Sequence, residues 1–284
     1  MPRFLTILFC LAALSTAAFA QDDHNDAGPL VVGYAIVTTT NSGSPFSRPG
    51  LPGECVVFET FGYRSQDPAL QAGVLPATLT TRTVLFATAG IRLTRNVGVA
   101  ITNPGSGDAV VTMTLRRANG SVTSSKTITI PTRQQISRFM DELFADVPEV
   151  PRDFDGTLTV TSNTPVAILA LRFRGTHFST IPITSLSPFV EVPELIALPN
   201  WPPGTRNSVL LPQFAAQSLW ASEIIVMNNS PVPLTVRIDL FKQDGTPLVT
   251  TLNRQTASSF QDLVIRPGGL IRYSPRDANF DSDF

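Results

Sequence analysis

Few side chains in this 284-residue chain could do chemistry, and their spacing narrows what that chemistry could be. The histidines are His24 and His177, and the cysteines are Cys10 and Cys55. A zinc site needs several nitrogen, sulfur or carboxylate ligands converging at one point, and neither histidine has a second histidine or cysteine at ligand spacing. No Gly-x-Ser-x-Gly elbow occurs. A Ser–His–Asp triad would have to use His177, which no motif or spacing supports. Carboxylates cluster at Asp141, Glu142, Asp146, Glu149, Asp153 and Asp155. Glycoside hydrolysis needs two carboxyl groups facing each other across a cleft. Asp141 and Glu142 are instead adjacent, on the polar side of a short apolar stripe. Asp153-Phe-Asp-Gly156 and the acidic stretch 277–283 lack the alternating oxygen ligands of an EF-hand loop. They read as a turn and a frayed tail. The sequence therefore offers no catalytic, cofactor or metal site, and leaves four candidate ligand contacts: Arg172, Arg174, His177 and Trp201. Arg172 and Arg174 alternate with Leu171 and Phe173, so both point to one face of a strand. Outward-facing, they would suit an anionic sugar or a partner's carboxylate, or simply form a solvated face.

The elements that must position these residues follow a repeat. Ile101 to Ser121 lies over Val226 to Thr246 at a constant offset of 125 residues, placing Asn103 on Asn228 and Asn119-Gly120 on Asp244-Gly245. Self-similarity of this kind marks a repeated structural unit. Ile130-Pro131 answers Ile265-Arg-Pro267, and Ile136-Ser-Arg-Phe139 answers Leu270-Ile-Arg-Tyr273. The first copy continues through 156–163 and 166–175, joined by Thr164-Pro165. The second copy shows no counterpart before Phe284, whereas Gly33 to Asn41 and Cys55 to Arg64 resemble those two stretches. The sequence thus predicts that residues 29–66 complete the C-terminal unit. A strand exchanged between molecules is the alternative.

Within each copy the pattern has a period of two. Ala109, Val111, Met113 and Leu115 alternate with Val110, Thr112 and Thr114, and Val232 to Phe241 alternates likewise. Such alternation argues for strands with one buried face. The Asn-Gly and Asp-Gly pairs are hairpin signals, because primed turns need positive φ. The expected fold is all-β: two Ig-like antiparallel β-sandwiches, 78–187 and 205–284 plus 29–66, joined by a proline-rich connector at 188–204 that carries Trp201. There Trp201 either packs between domains or contacts a ligand. One short helix is expected near 136–144. Ile136, Phe139, Met140, Leu143 and Phe144 follow helical spacing, with Ser137 as its cap.

Arg3, the apolar run Phe4 to Leu14 and Ala18-Phe-Ala20 have the form of a signal peptide over 1–20, cut after Ala20, with a disordered leader at 21–28. Cleavage would remove Cys10 and leave Cys55 without an intramolecular partner. It would also take the net charge from −1 to about −2. No basic stripe suggests nucleic acid or an anionic membrane surface. No further apolar run is long enough to span a bilayer.

Four sets of residues carry a resemblance. They are Leu211-Pro-Gln-Phe214 leading to Trp220-Ala-Ser-Glu-Ile-Ile-Val226; Val99 to Pro104; Arg138 to Phe144; and Pro165 to Gly175 with Phe178-Ser-Thr180. Together they resemble an uncharacterised β-sandwich repeat of exported and surface proteins of soil bacteria. The resemblance implies a structural unit and no catalytic residues. These readings converge on a secreted, periplasmic or cell-surface protein without catalytic groups, binding a surface glycan or another protein. A carboxylate-dependent hydrolase and a self-assembling envelope component are the competing readings.

Overall fold

The computed structural model describes residues 33–36, 59–63, 70–91, 94–150, 152–185, 211, 213–215 and 221–276. The expected signal peptide and leader, most of 29–66, the connector with Trp201, and the acidic tail lie outside the described residues. The described chain is all-β with one short helix. It divides into two compact units, Met1–Arg117 with Val122–Thr184, and Ala118–Ser121 with Ser185–Phe284.

In the first unit β1 (Glu59–Tyr63) and β2 (Leu70–Val74) form an antiparallel hairpin. They are followed by β3 (Thr80–Ala89), β4 (Arg95–Thr102), β5 (Ala109–Arg117), β6 (Val122–Ile130), β7 (Gln135–Phe139), α1 (Met140–Leu143), β8 (Phe154–Arg174), β9 (His177–Ile181) and β10 (Thr184–Ser185). The 21-residue β8 is central. Its N-terminal half pairs with β3 and β5, and its C-terminal half with β4 and β9. β6 extends the ladder from β5, and β7 extends it from β4. The sequence had suggested two strands here, joined at Thr164-Pro165. The structure instead has one strand that changes partners there: Ser162 still opposes Val111, while Ala167 already opposes Thr102. Proline has no N–H to give a ladder, so Pro165 falls where none is required. Cross-strand rows form the core. Leu85, Leu158 and Leu115 stand side by side, as do Ile101 and Ile168, and Val99 and Ala170. Burying each large apolar side chain contributes about 1.5–3 kcal/mol.

The helical stripe resolves differently from its expectation. Gln135–Phe139 is a strand paired with β4, and only Met140–Leu143 is helical. Phe139, not Ser137, precedes the helix, and its N–H donates to Glu142 Oε2 at 2.9 Å. Ser137 Oγ instead accepts from Gln135. A strand running into one helical turn mimics helical spacing, because Phe139 and Met140 are both buried whichever element they belong to.

The second unit contains β11 (Ile224–Met227), β12 (Leu234–Asp239), β13 (Thr250–Leu252), β14 (Gln255–Ala257), β15 (Ser259–Ile265) and β16 (Leu270–Tyr273). Ile224, Leu240, Leu252, Phe260 and Tyr273 form its core, with Phe260 and Tyr273 ring centroids 5.0 Å apart. Its ladders repeat those of the first unit residue for residue, up to an irregularity between Val236 and Ile238 of β12. β4 opposes β7 as Val99↔Arg138 through Thr102↔Gln135, and β11 opposes β16 as Ile224↔Tyr273 through Met227↔Leu270. β5 opposes β6 as Ala109↔Ile130 to Val111↔Ile128, and β12 opposes β15 as Leu234↔Ile265 to Val236↔Leu263. One strand of each pair is displaced by 125 residues and the other by 135. The β13–β14 hairpin accounts for the extra length. The register also corrects the sequence alignment: Leu270–Tyr273 answers Gln135–Arg138, one residue earlier than the side-chain likeness suggested.

Two polar devices recur with the ladders. Asn103 is fully buried, and its side-chain amide donates to Gly107 O at 2.8 Å and Ile130 O at 3.0 Å, while its Oδ1 accepts from Gly105 N. Asn228, also buried, donates to Val232 O at 2.7 Å and Ile265 O at 2.9 Å, and accepts from Ser230 N. Each asparagine therefore closes the loop that follows its strand and ties it to the end of a distant strand. At the turns, Gly120 and Gly245 take φ of +85° and +81°, which favours glycine. Asn119 Oδ1 accepts from Ser121 N and Asp244 Oδ1 from Thr246 N. The Thr246 hydroxyl and N–H hold the Asp244 carboxyl below its ordinary range.

Of the segment 29–66, residues 33–36 and 59–63 are described. They group with the first unit. There β1 pairs with β2, β2 lies against β9, and the Tyr34 hydroxyl donates to Arg133 O at 3.3 Å.

Removing either asparagine amide leaves several buried carbonyls and an N–H without partners, each costing about 1–3 kcal/mol. Asn103→Ala and Asn228→Ala are each expected to destabilise the chain by about 2 kcal/mol or more in urea unfolding. Asn→Asp at either site should be no better, because a carboxylate cannot donate to a carbonyl. An Asn→Asp variant that unfolds like wild type would show that donation is unimportant.

Candidate functional site

Three of the four candidate contacts have described positions, two of them on β8 and one on β9. Antiparallel neighbours share a face. Arg174 lies between Arg95 of β4 and His177 of β9, so His177, Arg174 and Arg95 form one row across three strands. In the next row on that face, Arg172 lies between Val97 and Ser179. The same face of β8 carries the buried Val166, Ile168 and Ala170. Arg172 and Arg174 therefore continue a core face to its end. They do not form the solvated side that simple alternation had offered. The Arg172 guanidinium sits 5.5 Å from the centroid of the buried Phe86 ring, a cation–π contact. His177 is exposed and both arginines are half-buried.

Arg95 anchors the row. Its side chain is only 4% exposed, and Nη2 reaches Asp153 Oδ1 at 2.7 Å while Nη1 lies 3.6 Å from Asp155 Oδ2. Asp155 opposes Thr88 of β3. Buried polar atoms normally find partners, yet Thr88 Oγ1, Arg95 Nε and Arg174 Nη1 are buried with no hydrogen-bond partner. Two carboxylates therefore answer the charge of Arg95, and beyond it the unmet donor of the row is at Arg174. The chemistry open to it is recognition of an anionic group by charge-assisted hydrogen bonds.

Of the clustered acids, Asp141 has its Oδ1 buried without a hydrogen-bond partner, and the others are engaged. Glu142 holds the start of the helix, Glu149 pairs with Arg117 at 2.6 Å, and Asp153 and Asp155 pair with Arg95. Asp146 pairs with Lys126 at 2.6 Å, and the bonded ammonium holds its carboxyl below the ordinary range. Among the described residues, no group of three or more His, Cys, Asp or Glu could hold a metal ion. No helix among them is long and apolar enough to cross a membrane.

Sequence reasoning missed two residues of consequence and one pair. Arg95 and Thr88 belong to no motif, and Arg95 meets Asp153 only because β4 and β8 bring together positions 58 residues apart. In the second unit Arg272 and Glu223, 49 residues apart, form an ion pair with each side chain about 5% exposed and Nη2 to Oε1 at 2.7 Å. Only a register could have revealed either.

No family model matches this chain, and no curated protein matches it. Among solved structures it is similar to the Anabaena sensory rhodopsin transducer, with TM-score 0.28, 22% identity, and coverage of 32% of this chain and 95% of that one. It is also similar to Thermotoga maritima 1070, with TM-score 0.29, 16% identity, and coverage of 37% and 90%. Likenesses this slight carry no argument.

Two contrasts test the electrostatics. Arg95→Gln removes charge-assisted bonds and is expected to cost about 1.5–3 kcal/mol. Arg174→Gln gives up no hydrogen bond at Nη1 and should change stability by about 0.5 kcal/mol or less. Equal losses in thermal unfolding would contradict this division. In the second unit, Glu223→Leu leaves Arg272 buried without its carboxylate and should cost about 3–5 kcal/mol. The double change Glu223→Leu with Arg272→Met should recover most of that loss, and failure to recover would mean the pair holds the fold in some further way.

Proposed function

We propose that this chain is an exported, non-catalytic protein of two related Ig-like β-sandwich units that binds a surface polymer or another protein through an anionic group. Its place is outside the cytoplasm, in the periplasm or at the cell surface, after cleavage following Ala20. The observation that carries the reading is the row His177–Arg174–Arg95, in which Arg174 Nη1 is buried without a hydrogen-bond partner. Buried donors left unmade are costly, and a carboxylate is a group whose arrival would repay that cost. Arg172 beside them adds charge next to an aromatic face. The net charge of −1 argues against nucleic acid as the partner, since phosphate-backbone binding draws on a broad basic surface.

The test is a binding panel on the mature chain. It comprises uronic-acid polysaccharides, neutral polysaccharides, peptidoglycan and envelope proteins. Acidic ligands should be retained over neutral ones, and binding should weaken with added salt as screening sets in. Arg174→Gln should weaken it about tenfold or more through loss of a charge-assisted contact, without a matching loss of stability. A blank panel, or a ligand bound equally well by Arg174→Gln, would overturn the reading.

A further inference from the structure

We infer that Asn119, in the turn between β5 and β6, is a site of spontaneous deamidation, whose co-reactant is water and whose products are aspartate and isoaspartate. Asn119 is exposed and is followed by Gly120. Glycine has no side chain to hinder attack by its own backbone nitrogen, and Gly120 takes φ of +85°. Asn119 Oδ1 accepts from Ser121 N at 3.0 Å and from the Ser121 hydroxyl at 2.7 Å. Both bonds draw electrons from the amide carbonyl and make Cγ the better electrophile. The hydrogen-bonded ring that Oδ1 and Ser121 N close runs through Cγ and Gly120 N, so it holds the two reacting atoms on one side of the turn. Proximity of this kind lowers a barrier. The reaction balances without an enzyme. Gly120 N bonds to Cγ, the Cγ–Nδ2 bond breaks, and Nδ2 leaves as ammonia with the proton that Gly120 N gives up. Water then opens the succinimide at either carbonyl, and the ring nitrogen recovers a proton from that water.

The second copy of the repeat already contains the product. Asp244-Gly245-Thr246 stands 125 residues on from Asn119-Gly120-Ser121. Gly245 takes φ of +81°, and Asp244 Oδ1 accepts from Thr246 N at 2.9 Å and from the Thr246 hydroxyl at 2.6 Å. An aspartate at position 119 thus fits the turn with the same two donors, and opening at Cγ disturbs the fold little. The Thr246 hydroxyl and N–H hold the Asp244 carboxyl below its ordinary range. Ser121 offers the same donors, so the product is charged at neutral pH. Opening at the main-chain carbonyl differs. Isoaspartate adds a methylene to the backbone of a turn that closes the β5–β6 ladder, which is already irregular between Leu115 and Arg116. Ageing therefore splits the chain into a fraction that keeps the turn and a fraction that strains it. Asn103 and Asn228 are protected by contrast, since both are buried and are followed by Pro104 and Asn229. This inference is independent of the anionic-ligand reading, because it uses no residue of the cationic row.

The experiment ages the full mature chain at mildly alkaline pH and follows the tryptic peptide Ala118–Lys126 by mass spectrometry over weeks, beside a synthetic peptide of the same sequence. A one-dalton gain at Asn119, with isoaspartate among the products, is expected at a rate no slower than in the free peptide. Ser121→Ala removes the hydroxyl donor and should slow the gain by roughly twofold to tenfold, the kinetic worth of one ordinary hydrogen bond. Asn119→Gln, which would have to close a six-membered ring, should show no gain in the same period. Asn119→Asp, the Cγ product made directly, should melt within about 2 °C of wild type, while the aged isoaspartate fraction melts lower. An amide that persists in the folded chain after the free peptide is consumed would overturn the site. A rate unchanged by Ser121→Ala would overturn the part assigned to the turn.

Discussion

Much of this architecture depends on a buried primary amide. Placing an asparagine side chain in an apolar interior costs several kcal/mol unless its polar atoms are paired. Asn103 pairs with carbonyls from two directions, its own loop at Gly107 and a remote strand end at Ile130. An amide so placed can be satisfied only if β4 ends where β6 ends, which fixes the relation between two strands that do not pair with each other. Hydrophobic burial alone would tolerate a slip of two residues along either strand, since the same face would stay buried. The amide does not tolerate it. Asn228 imposes the same condition on β11 and β15. This gives a physical reason for matching registers at the strand ends the asparagines tie, in two units whose apolar residues differ at most positions.

The second constraint is the continuity of β8. A strand that serves two ladders must be long, and its end runs beyond the apolar rows. Val166, Ile168 and Ala170 fill the core, and the next two positions on that face are Arg172 and Arg174. Arginine suits such a place, because its stem packs like a hydrophobe while the head seeks polar partners. Phe86 receives one guanidinium, and Arg95 with its two aspartates lies beside the other strand position. The cationic row is thus a consequence of where the core ends. Its location at the β8–β9 turn follows from strand length and needs no separate element to build it.

Period-two alternation and the Asn-Gly and Asp-Gly turns made the strands and hairpins legible, because both signals are local. The repeat was legible because Asn103 and Asn228 stand at equal offsets. What the sequence concealed was non-local. Thr164-Pro165 reads as a turn in isolation, yet neighbouring β3, β4 and β5 hold it extended. Ile136 and Phe139 belong to β7, and only the residues after them wind into a turn of helix, so two short elements shared one apparent period. Arg95 and Arg272 carry no local signal, since an arginine in a strand is ordinarily a solvated residue. His177 and the two β8 arginines were singled out by type, but which face they shared, and with whom, came from pairing.

The two units share their ladders and differ in what fills their cores. A sheet edge must be paired, covered or charged. The first unit pairs its inner edges with β8, and its matching side chains are fully buried as a result. The second unit keeps the same two hairpin-like pairings and its own core of Ile224, Leu240, Leu252, Phe260 and Tyr273. Its buried Arg272–Glu223 pair adds rigidity of position more than net stability, because desolvating both charges offsets most of their attraction. Leu252 belongs to the hairpin that the first unit lacks, so the added ten residues bring core material as well as length. The second unit thus has a core of its own.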